Sequence, residues 1–477
     1  MKATSSVAEI AKAVGSMEVT AFSVVMAALG RIEANNQRVG AFTDVLRDRA
    51  VTRAKVVDDE IKRGKVFPLA GVPFGAKNLF DLTGLPTRAG SKINRDRPPA
   101  TADARLVQRL EAAGAICVGA QNMGEYAYDF TGENITDGPS RNPHDVNHMS
   151  GGSSGGPAAA VAAGLVPLSL GSDTNGSIRV PASLSGLFGL KPTFGRLSRQ
   201  GMFPFAASLD HAGHFARSVE DIALAYDAMQ GFDEDDPALV KRPSEPVTGR
   251  LERGTSGLRI AVADGYFTGD IEVRQMMESV AKALKVTRKV TVPGAQEARS
   301  AAFLITMAEG AALHIERLRT RPQDFDPAVS ERLFAGAMLP AAWVEQAQKY
   351  RRVYQQEMLK LFGEVDVILA PATPMRAPKI GQKTATFGGV ELPVRPHLGI
   401  FAQPFSFIGL PVVTVPIWVE GYKLPLGVQA IAAPWREDFA LRVARQLEKA
   451  GAASSPVAKG FRAPENAPTL EASPPIG

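Results

Sequence analysis

The sequence predicts a protein of the α/β class, and two observations support this prediction. Short apolar runs that are typical of buried strands recur along most of the chain, and stretches with the apolar spacing of helices separate them. The chain has 477 residues, of which 45% are hydrophobic and 22% are charged. Such a chain can bury a large core, and its length alone would allow two or three domains.

The first half of the chain alternates predicted helices and strands. A capping box formed by Ser6 and Glu9 predicts an N-terminal helix. The next predicted elements are a strand in GVPFGAKN (71–78), a helix over 102–113 and a strand in AICVGAQN (115–122). Further along, Ser218 begins a helix that ends near Gly231.

The second half begins with a loop or insertion over 232–257 and then returns to strands. Late strands are predicted in LRIAVADG (258–265), VDVILAPATP (365–374), LPVVTVPIW (410–418) and LGVQAIAAP (426–434). One segment repeats apolar residues at helical spacing, which predicts a helix whose core-packed residues are Trp343, Ala347, Tyr350, Tyr354, Met358 and Leu361. The stretch 452–477 is rich in Pro, Ala and Ser, so we expect a mobile tail there.

The segment 149–193 contains two serines framed by glycines, in GGSSGG (151–156) and DTNGSIR (173–179). Flanking glycines let backbone N–H groups come close to a ligand, as an oxyanion hole or an anion cradle requires. Between the two motifs we predict a helix of small residues, with Pro157 in its first turn, and then a short apolar strand. Serine chemistry, with Ser177 at the end of this unit, is therefore the first hypothesis.

The GGSSGG motif alone has other interpretations, of which a flexible turn before a helix is the simplest. It also matches the G-x-S-x-G elbow of α/β-hydrolases with Ser153 at its centre, but that elbow needs a buried strand immediately before it. Residues 138–150 are polar and rich in turn residues, so no strand is predicted there. A phosphate-binding loop would have Lys and then Ser or Thr where Gly156 and Pro157 stand.

A serine hydroxyl becomes a good nucleophile only when a neighbouring base takes its proton. The chain has six histidines, and none lies in a recognised triad motif. Lys77 follows the apolar run PLAGVPFGA, where desolvation would favour the neutral amine and lower the pKa of the lysine. The alternative is a lysine that pairs with Asp81 on a loop.

These features together resemble the amidase signature family of serine hydrolases. The resemblance rests on the lysine after G-x-P, on the spacing of the two serine motifs, and on segments 138–145, 189–198 and 208–223. It implies that Ser177 is the nucleophile, that Ser153 is a bridging serine with a cis peptide bond, and that Lys77 is the general base and acid. The implied oxyanion donors are the backbone N–H groups of Thr174, Asn175, Gly176 and Ser177, and no metal or cofactor is implied.

The same resemblance implies the amidase signature fold, a large twisted mixed β-sheet core that is covered by helices on both faces. It implies a single domain over residues 1–451. This domain would comprise N-terminal helices over about 1–60, a signature core over about 61–230 and a substrate-determining region over about 255–450.

Segments of the second half, ALHIERLRTRPQDFDP among them, resemble the branch of the family that hydrolyses carboxybiuret. The implied substrate is a small anionic amide whose linear C–N bond is cleaved with release of ammonia. A planar carboxylate suits an arginine fork. The candidate substrate contacts are Met123, Tyr128, Ser154, Arg179, His314, Arg319, Arg321 and Gln403. A broad-specificity amidase and the amidase component of a tRNA-dependent amidotransferase, its A subunit, remain alternatives.

Charge and composition bear on the partners. The formal net charge of +5 is modest and its basic residues are interleaved with acids, so nucleic-acid binding is not expected. No apolar stretch approaches membrane-spanning length, so no membrane span is expected. Cys117 is expected to be a strand residue rather than a reactive thiol, and a cytoplasmic location is expected.

The resemblance implies a small helical partner subunit that forms a heteromer around a homodimer core. A catalytically silent assembly protein is disfavoured because the three catalytic residues are intact.

Overall fold

A computed structural model of the protein describes residues 2–461. Its strands are Phe42–Val45 (β1), Pro73–Lys77 (β2), Ile116–Gln121 (β3), Arg141–Asn142 (β4), Asp145–Met149 (β5), Leu168–Asp173 (β6), Phe188–Lys191 (β7), His211–Ala216 (β8), Ile260–Ala263 (β9), Lys289–Val290 (β10), Val367–Pro371 (β11), Thr384–Phe387 (β12), Val390–Pro393 (β13), Val412–Ile417 (β14) and Leu426–Ala432 (β15). Its helices are Val7–Gly15 (α1), Ala21–Val39 (α2), Arg47–Lys62 (α3), Arg105–Ala112 (α4), Gly155–Ala162 (α5), Arg179–Ser185 (α6), Val219–Met229 (α7), Ile271–Leu284 (α8), Ala295–Thr320 (α9), Pro327–Ala337 (α10), Ala341–Glu364 (α11), Val394–His397 (α12), Gln403–Ser406 (α13) and Glu437–Lys449 (α14).

One large mixed sheet organises the molecule. Its order is β1-β3-β2-β6-β8-β7-β14-β15-β11-β9-β10. The pairs β2–β3, β2–β6, β9–β11 and β9–β10 are parallel, and the strands from β6 through β8, β7, β14 and β15 to β11 are antiparallel. Every residue of β2, β6, β14 and β15 is buried. Because successive side chains of a strand point to opposite faces, both faces of the sheet must be covered, which confirms the predicted α/β architecture.

The local signals at two helix starts are confirmed. In α1 the Ser6 hydroxyl accepts from the N–H of Glu9, and the Glu9 carboxylate accepts from the N–H of Ser6, so both halves of the capping box are present. In α7 the Ser218 hydroxyl accepts from the N–H of Asp221 at 3.0 Å. These caps form between residues three positions apart, which is why the sequence alone reveals them.

The parallel pairing of β2 with β6 prepares the site. Phe74, Gly75 and Ala76 pair with Leu168, Ser169 and Leu170, so the carboxyl ends of both strands lie at the same edge of the sheet. Lys77 is the last residue of β2, and β6 ends at Asp173, just before the DTNGSIR loop. The lysine and the second serine motif are thus brought together by strand pairing.

Helix α5, which follows the first serine motif, is buried along its entire length. It contains only glycine, proline, alanine and valine because neighbouring backbone leaves no room for larger side chains. A Cβ atom on Gly156 would lie 2.5 Å from the carbonyl oxygen of Ala41 and 2.5 Å from the backbone nitrogen of Asn122. The small residues of this segment therefore have a packing function.

The prediction that residues 138–150 contain no strand was wrong. Strands β4 and β5 form an antiparallel hairpin there, separate from the large sheet. The hairpin is stabilised by distant neighbours, since the N–H of Met149 donates to the carbonyl of Pro378 at 2.8 Å. It is not the buried strand that a hydrolase elbow requires, so the argument against that elbow stands.

Two other expectations need correction. Trp343 lies on the predicted helix α11 but is 55% exposed, whereas Ala347, Tyr354 and Met358 are buried as expected. The expected mobile tail is packed over its first ten residues, with Val457 2% and Phe461 7% exposed in the main core. The rest of that expected tail, 462–477, lies outside the described residues.

Cys117 lies fully buried in β3, and burial raises the pKa of its thiol to about 12. This position agrees with the prediction of a structural, unreactive cysteine. Among the helices of residues 2–461, none combines the length and the apolarity that a membrane crossing requires.

Candidate active site

Lys77 is completely buried at the carboxyl end of β2 and points at two serine hydroxyls. Its Nζ lies 2.7 Å from Ser153 Oγ and 2.8 Å from Ser172 Oγ. Asp81 does not pair with the lysine, since its carboxylate accepts from the hydroxyl of Thr87 instead. The alternative of a loop lysine paired with Asp81 is therefore wrong.

Burial lowers the pKa of Lys77 from its usual 10.5 to about 7. The carboxylates of Asp173, Asp210 and Asp129 oppose this shift, but removal of the ammonium group from water outweighs them. Near neutral pH, a large fraction of the enzyme therefore carries Lys77 as a neutral amine, the form that a general base needs.

Ser153 follows a cis peptide bond, Gly152–Ser153. The backbone around it is held on both sides, because the N–H of Gly152 donates to Phe130 O at 2.8 Å and Ser153 O accepts from the N–H of Gly124 at 3.1 Å. A Cβ atom on Gly152 would lie 2.5 Å from Asp129 Oδ2. Only glycine fits at the position before Ser153.

Ser177 lies in the loop between β6 and α6 and is 2% exposed. It lines a small cavity, and its hydroxyl has no hydrogen-bond partner among the described residues. The backbone N–H groups of Thr174, Asn175, Gly176 and Ser177 likewise donate to no described group. Four free donors beside a free hydroxyl are what an oxyanion hole and its nucleophile require.

The backbone at Gly176 explains how this loop turns. Its φ is +140°, a region that L side chains rarely adopt, and a Cβ atom there would lie 2.8 Å from Ala402 Cβ. The loop is tied to the body at Thr174, whose hydroxyl donates to Asp210 Oδ1 at 2.6 Å. It is tied again at its end, where the N–H of Ile178 donates to Asp173 Oδ2 at 3.2 Å.

Arg179 was expected to contact substrate, and the structure contradicts this. Its guanidinium is fully buried and pairs with Asp173 through Nε and Nη2, both at 2.9 Å. The remaining donors reach Ala402 O, Gln429 Oε1 and Ser406 Oγ. Burial alone would raise the pKa of Asp173, but the guanidinium holds it well below its usual range. With all its donors used, Arg179 supports the loop rather than binding a ligand.

The cavity beside Ser177 is narrow, with a volume of about 20 Å³. Its lining residues are Ala127, Tyr128, Asp129, Phe130, Thr174, Asn175, Ser177, Phe205, Phe303, Arg332, Pro396 and Gln403. Of the expected substrate contacts, only Tyr128 and Gln403 belong to it. The Tyr128 hydroxyl is buried without a partner in the described structure, and burial raises its pKa to about 12, so it keeps its proton.

The other expected contacts lie elsewhere. Arg319 is exposed and pairs with Glu316, and Arg321 pairs with Asp324 and Asp96. His314 is buried in an aromatic cluster, with its ring 4.0 Å from that of Tyr126. The remaining two contacts are also absent from the lining, since Met123 is a core residue and the Ser154 hydroxyl bonds to Ser172 O.

Sequence reasoning missed the arginine that does reach the cavity, Arg332 on α10. Its guanidinium stacks 3.7 Å from the centre of the Tyr128 ring and donates to the carbonyl oxygens of Ala328 and Tyr128. No carboxylate pairs with it among residues 2–461. Burial lowers the pKa of this guanidinium below its usual value, yet the group remains cationic. The segment 327–337 showed no recognised motif that would have singled it out.

Comparison with known proteins places the chain in a family. Residues 23–441 match the family described as Amidase. The chain is 50% identical over 449 residues to AtzE, a 1-carboxybiuret hydrolase subunit of Pseudomonas sp. (strain ADP), covering 93% of this chain and 98% of that protein. It is 36% identical over 475 residues to the glutamyl-tRNA(Gln) amidotransferase A subunit of Pseudomonas savastanoi pv. phaseolicola (strain 1448A / Race 6), covering 93% and 96%.

Solved structures agree. One of them is described as an unexpected vestigial protein complex that reveals the evolutionary origins of an s-triazine catabolic enzyme, in an inhibitor-bound form. It superposes with a TM-score of 0.94 at 48% identity, over 95% of this chain and 100% of that chain. A bacterial aryl acylamidase of the amidase signature enzymes has a TM-score of 0.86 at 26% identity, over 94% and 96%. The chain belongs to the amidase signature family and is a hydrolase of linear, non-peptide amide C–N bonds.

Proposed function

We propose that this enzyme hydrolyses 1-carboxybiuret through an acyl-enzyme on Ser177, with release of ammonia. The observation that carries the catalytic part is the 2.7 Å contact between Lys77 Nζ and Ser153 Oγ, next to the cavity that Ser177 lines. The substrate is supported by the relative at 50% identity that is named a 1-carboxybiuret hydrolase subunit.

In the first half-reaction, neutral Lys77 takes the proton of the Ser153 hydroxyl, and Ser153 takes that of Ser177. The Ser177 oxygen then attacks the amide carbonyl, and the negative charge develops on the carbonyl oxygen opposite the N–H groups of residues 174–177. Lys77, now an ammonium, returns the proton through Ser153 to the departing nitrogen, which leaves as ammonia. Water then attacks the ester by the same relay, which releases the carboxylate product and restores Ser177.

The substrate carboxylate is assigned to Arg332 and Tyr128. Arg332 is a cavity-lining cation without a salt bridge in the described structure, and the Tyr128 ring, over which it stacks, ends in a hydroxyl without a partner. A carboxylate placed there would accept a charge-assisted hydrogen bond from Arg332 and a hydrogen bond from the Tyr128 hydroxyl, which would give this buried hydroxyl its missing partner. This pair replaces the surface residues Arg319 and Arg321 in the assignment.

The assembly is proposed to be a heteromer that combines a homodimer of this chain with a small helical partner subunit. The structural neighbour that is described as a vestigial protein complex supports a partner.

The second candidate function is that of an amidotransferase A subunit, which is favoured by the 36% identity to such subunits. That function would require glutamine as the ammonia donor.

A screen of ammonia release from carboxybiuret, biuret, allophanate, glutamine and indoleacetamide tests this proposal. We expect carboxybiuret to have the highest kcat/KM. A preference for glutamine would overturn the substrate assignment in favour of the amidotransferase function, and a preference for indoleacetamide would favour a broad-specificity amidase.

The catalytic assignment is tested with two alanine variants. Ser177→Ala should abolish turnover and leave the thermal unfolding midpoint near that of the wild type, because the hydroxyl makes no hydrogen bond in the described structure. Ser153→Ala should lower kcat less, since a water molecule can partly replace the relay. If Ser177→Ala retained more than a few per cent of the activity, the nucleophile would have to be another residue.

A further inference from the structure

Asn175 is the second residue of the loop that carries Ser177, and its side chain has one satisfied and one unsatisfied end. Asn175 is 7% exposed and lines the same cavity as Ser177. Its Nδ2 donates to the hydroxyl of Thr306 on α9 at 2.8 Å. Its Oδ1 is buried without a partner in the part of the chain that the structure describes.

The contact with Thr306 determines which end of the Asn175 amide is free. A hydroxyl has one proton, and that of Thr306 is donated to the carbonyl of Ala302 at 2.7 Å within α9. Towards Asn175 the hydroxyl can therefore only accept, so it must face the NH₂ group of the amide. The carbonyl oxygen, Oδ1, is the end that remains, and it can only accept a hydrogen bond.

A buried acceptor without a donor costs free energy, and the cost disappears when a ligand supplies an N–H group. Asn175 is two residues before the nucleophile and shares its cavity, so a donor that reaches Oδ1 must belong to the part of the substrate near the scissile carbonyl. Arg332 and Tyr128, which we assign to the carboxylate, are cations or hydroxyl donors and do not compete for this role. The Asp129 carboxylate also lines the cavity, but it already accepts from Arg395.

We propose that Asn175 Oδ1 accepts a hydrogen bond from an N–H group bonded to the scissile carbonyl on its acyl side. Asn175 is then a specificity residue that selects ureido substrates, in which nitrogen flanks the carbonyl on both sides, over amides whose acyl side is carbon. Thr306 is a positioning residue that keeps Oδ1 available. This inference rests on the proposed function and deepens it, because carboxybiuret is a ureido compound.

Biuret and malonamide form a matched pair for the test. Both are neutral diamides, and they differ only in having NH or CH₂ between the two carbonyl groups. Ammonia release gives kcat/KM for each, and the ratio of the two values removes effects that act equally on both substrates. Allophanate and malonamate provide the corresponding anionic pair.

We expect Asn175→Ala to lower the ratio of kcat/KM for biuret over malonamide by about tenfold relative to the wild type, the size of one neutral hydrogen bond. Thr306→Val, which removes the acceptor that orients the amide, should lower the ratio in the same direction. Thr306→Ser keeps the hydroxyl and should restore it. A merely structural role would lower both rate constants together and leave the ratio unchanged.

The outcomes are separable from those of the proposed function. If Asn175→Ala is folded and active and its ratio, for both substrate pairs, lies within twofold of the wild-type ratio, this inference is wrong while the hydrolase assignment stands. If Asn175→Ala is inactive, the same criterion is applied to Thr306→Val: a ratio within twofold of the wild-type ratio means that this inference is wrong. If the wild type releases ammonia neither from these four compounds nor from carboxybiuret, the proposed function is wrong, and the specificity role of Asn175 is wrong with it.

Discussion

In the proposed mechanism, a single buried lysine supplies the acid–base chemistry of this site. Lys77 lies within 2.8 Å of two serine hydroxyls and has no carboxylate within salt-bridge distance among the described residues, so burial dominates its ionisation. A lysine paired with an acid would stay charged near neutral pH and could not accept a proton.

The pH dependence of kcat/KM should follow Lys77. Its pKa of about 7 lies below the usual 10.5, so the inactive ammonium form dominates below pH 7 and the active amine form above it. Activity should therefore rise as the pH rises through about 7. Lys77→Arg should lower kcat by about 10²–10⁴-fold and abolish this rise, because a guanidinium keeps its proton at these pH values.

A second group titrates in the same range and provides the control. The Glu125 carboxylate accepts from the hydroxyl of Ser91 and from the backbone N–H of Asp326. Burial raises the pKa of this carboxylate to about 7. Glu125→Gln cannot ionise and should retain the rise of activity near pH 7. If the rise disappeared in Glu125→Gln but persisted in Lys77→Arg, the base would have to be sought elsewhere.

Arg332 should decide whether anionic substrates are preferred. Arg332→Gln removes a cavity-lining cation that forms no salt bridge among the described residues, so KM for carboxybiuret or allophanate should rise by about tenfold or more, while KM for neutral biuret should change little. Arg319→Gln, at an exposed arginine outside the cavity, is the matched control and should leave both values unchanged. Equal effects of Arg332→Gln on charged and neutral substrates would contradict the carboxylate assignment.

At the scale of elements, helix α5 lies between the two serine motifs and packs directly against backbone at one position. All its residues are buried, and Gly156 faces the main chain of Ala41 and Asn122. Such a contact cannot relax by a rotamer change, so the helix tolerates little added volume.

Two identical substitutions should have opposite effects on stability. Gly156→Ala places a methyl group 2.5 Å from backbone atoms, and we expect it to destabilise the protein by about 1–3 kcal/mol and to lower the thermal unfolding midpoint. Gly30→Ala, in α2 with nothing within 4 Å of the new methyl, should stabilise by about 0.5–1 kcal/mol because alanine favours helix. Equal midpoints for both variants would show that α5 is not closely packed.

At the scale of the whole molecule, the large sheet joins regions that are far apart in sequence. Strand β7 of the signature segment pairs with β14 from the last seventy residues, and Arg179 reaches Ala402 and Gln429. The second half of the chain therefore contributes both to the support of the loop that carries Ser177 and to the cavity wall.

The proposed assembly is tested by light scattering of the purified chain. We expect a mass of about twice that of one chain, and a further increase when the small helical partner from the same genome is added. A chain that is monomeric, monodisperse and fully active alone would exclude both the homodimer core and an obligate partner.

The sequence by itself determined the parts of this protein that depend on local or strongly patterned signals. The caps at Ser6 and Ser218 involve residues three positions apart, and the buried strands are continuous apolar runs. The two serines were singled out by the glycines that frame them, and Lys77 was singled out by the apolar run that precedes it and by the family resemblance. The α/β architecture was predictable because the buried strands are visible as apolar runs. The β4–β5 hairpin was not predictable because it depends on a contact with Pro378, which is distant in sequence.

Only the tertiary structure decided which side chains surround the substrate. Arg179, Arg319, Arg321 and Arg332 carry the same group, but the first is saturated by Asp173 and its neighbours, the next two pair with surface acids, and the last faces the cavity. Likewise, the free end of Asn175 is determined by a helix 131 residues away in sequence. The role of a polar group depends on which partners already satisfy it, and those partners are brought together only by the fold.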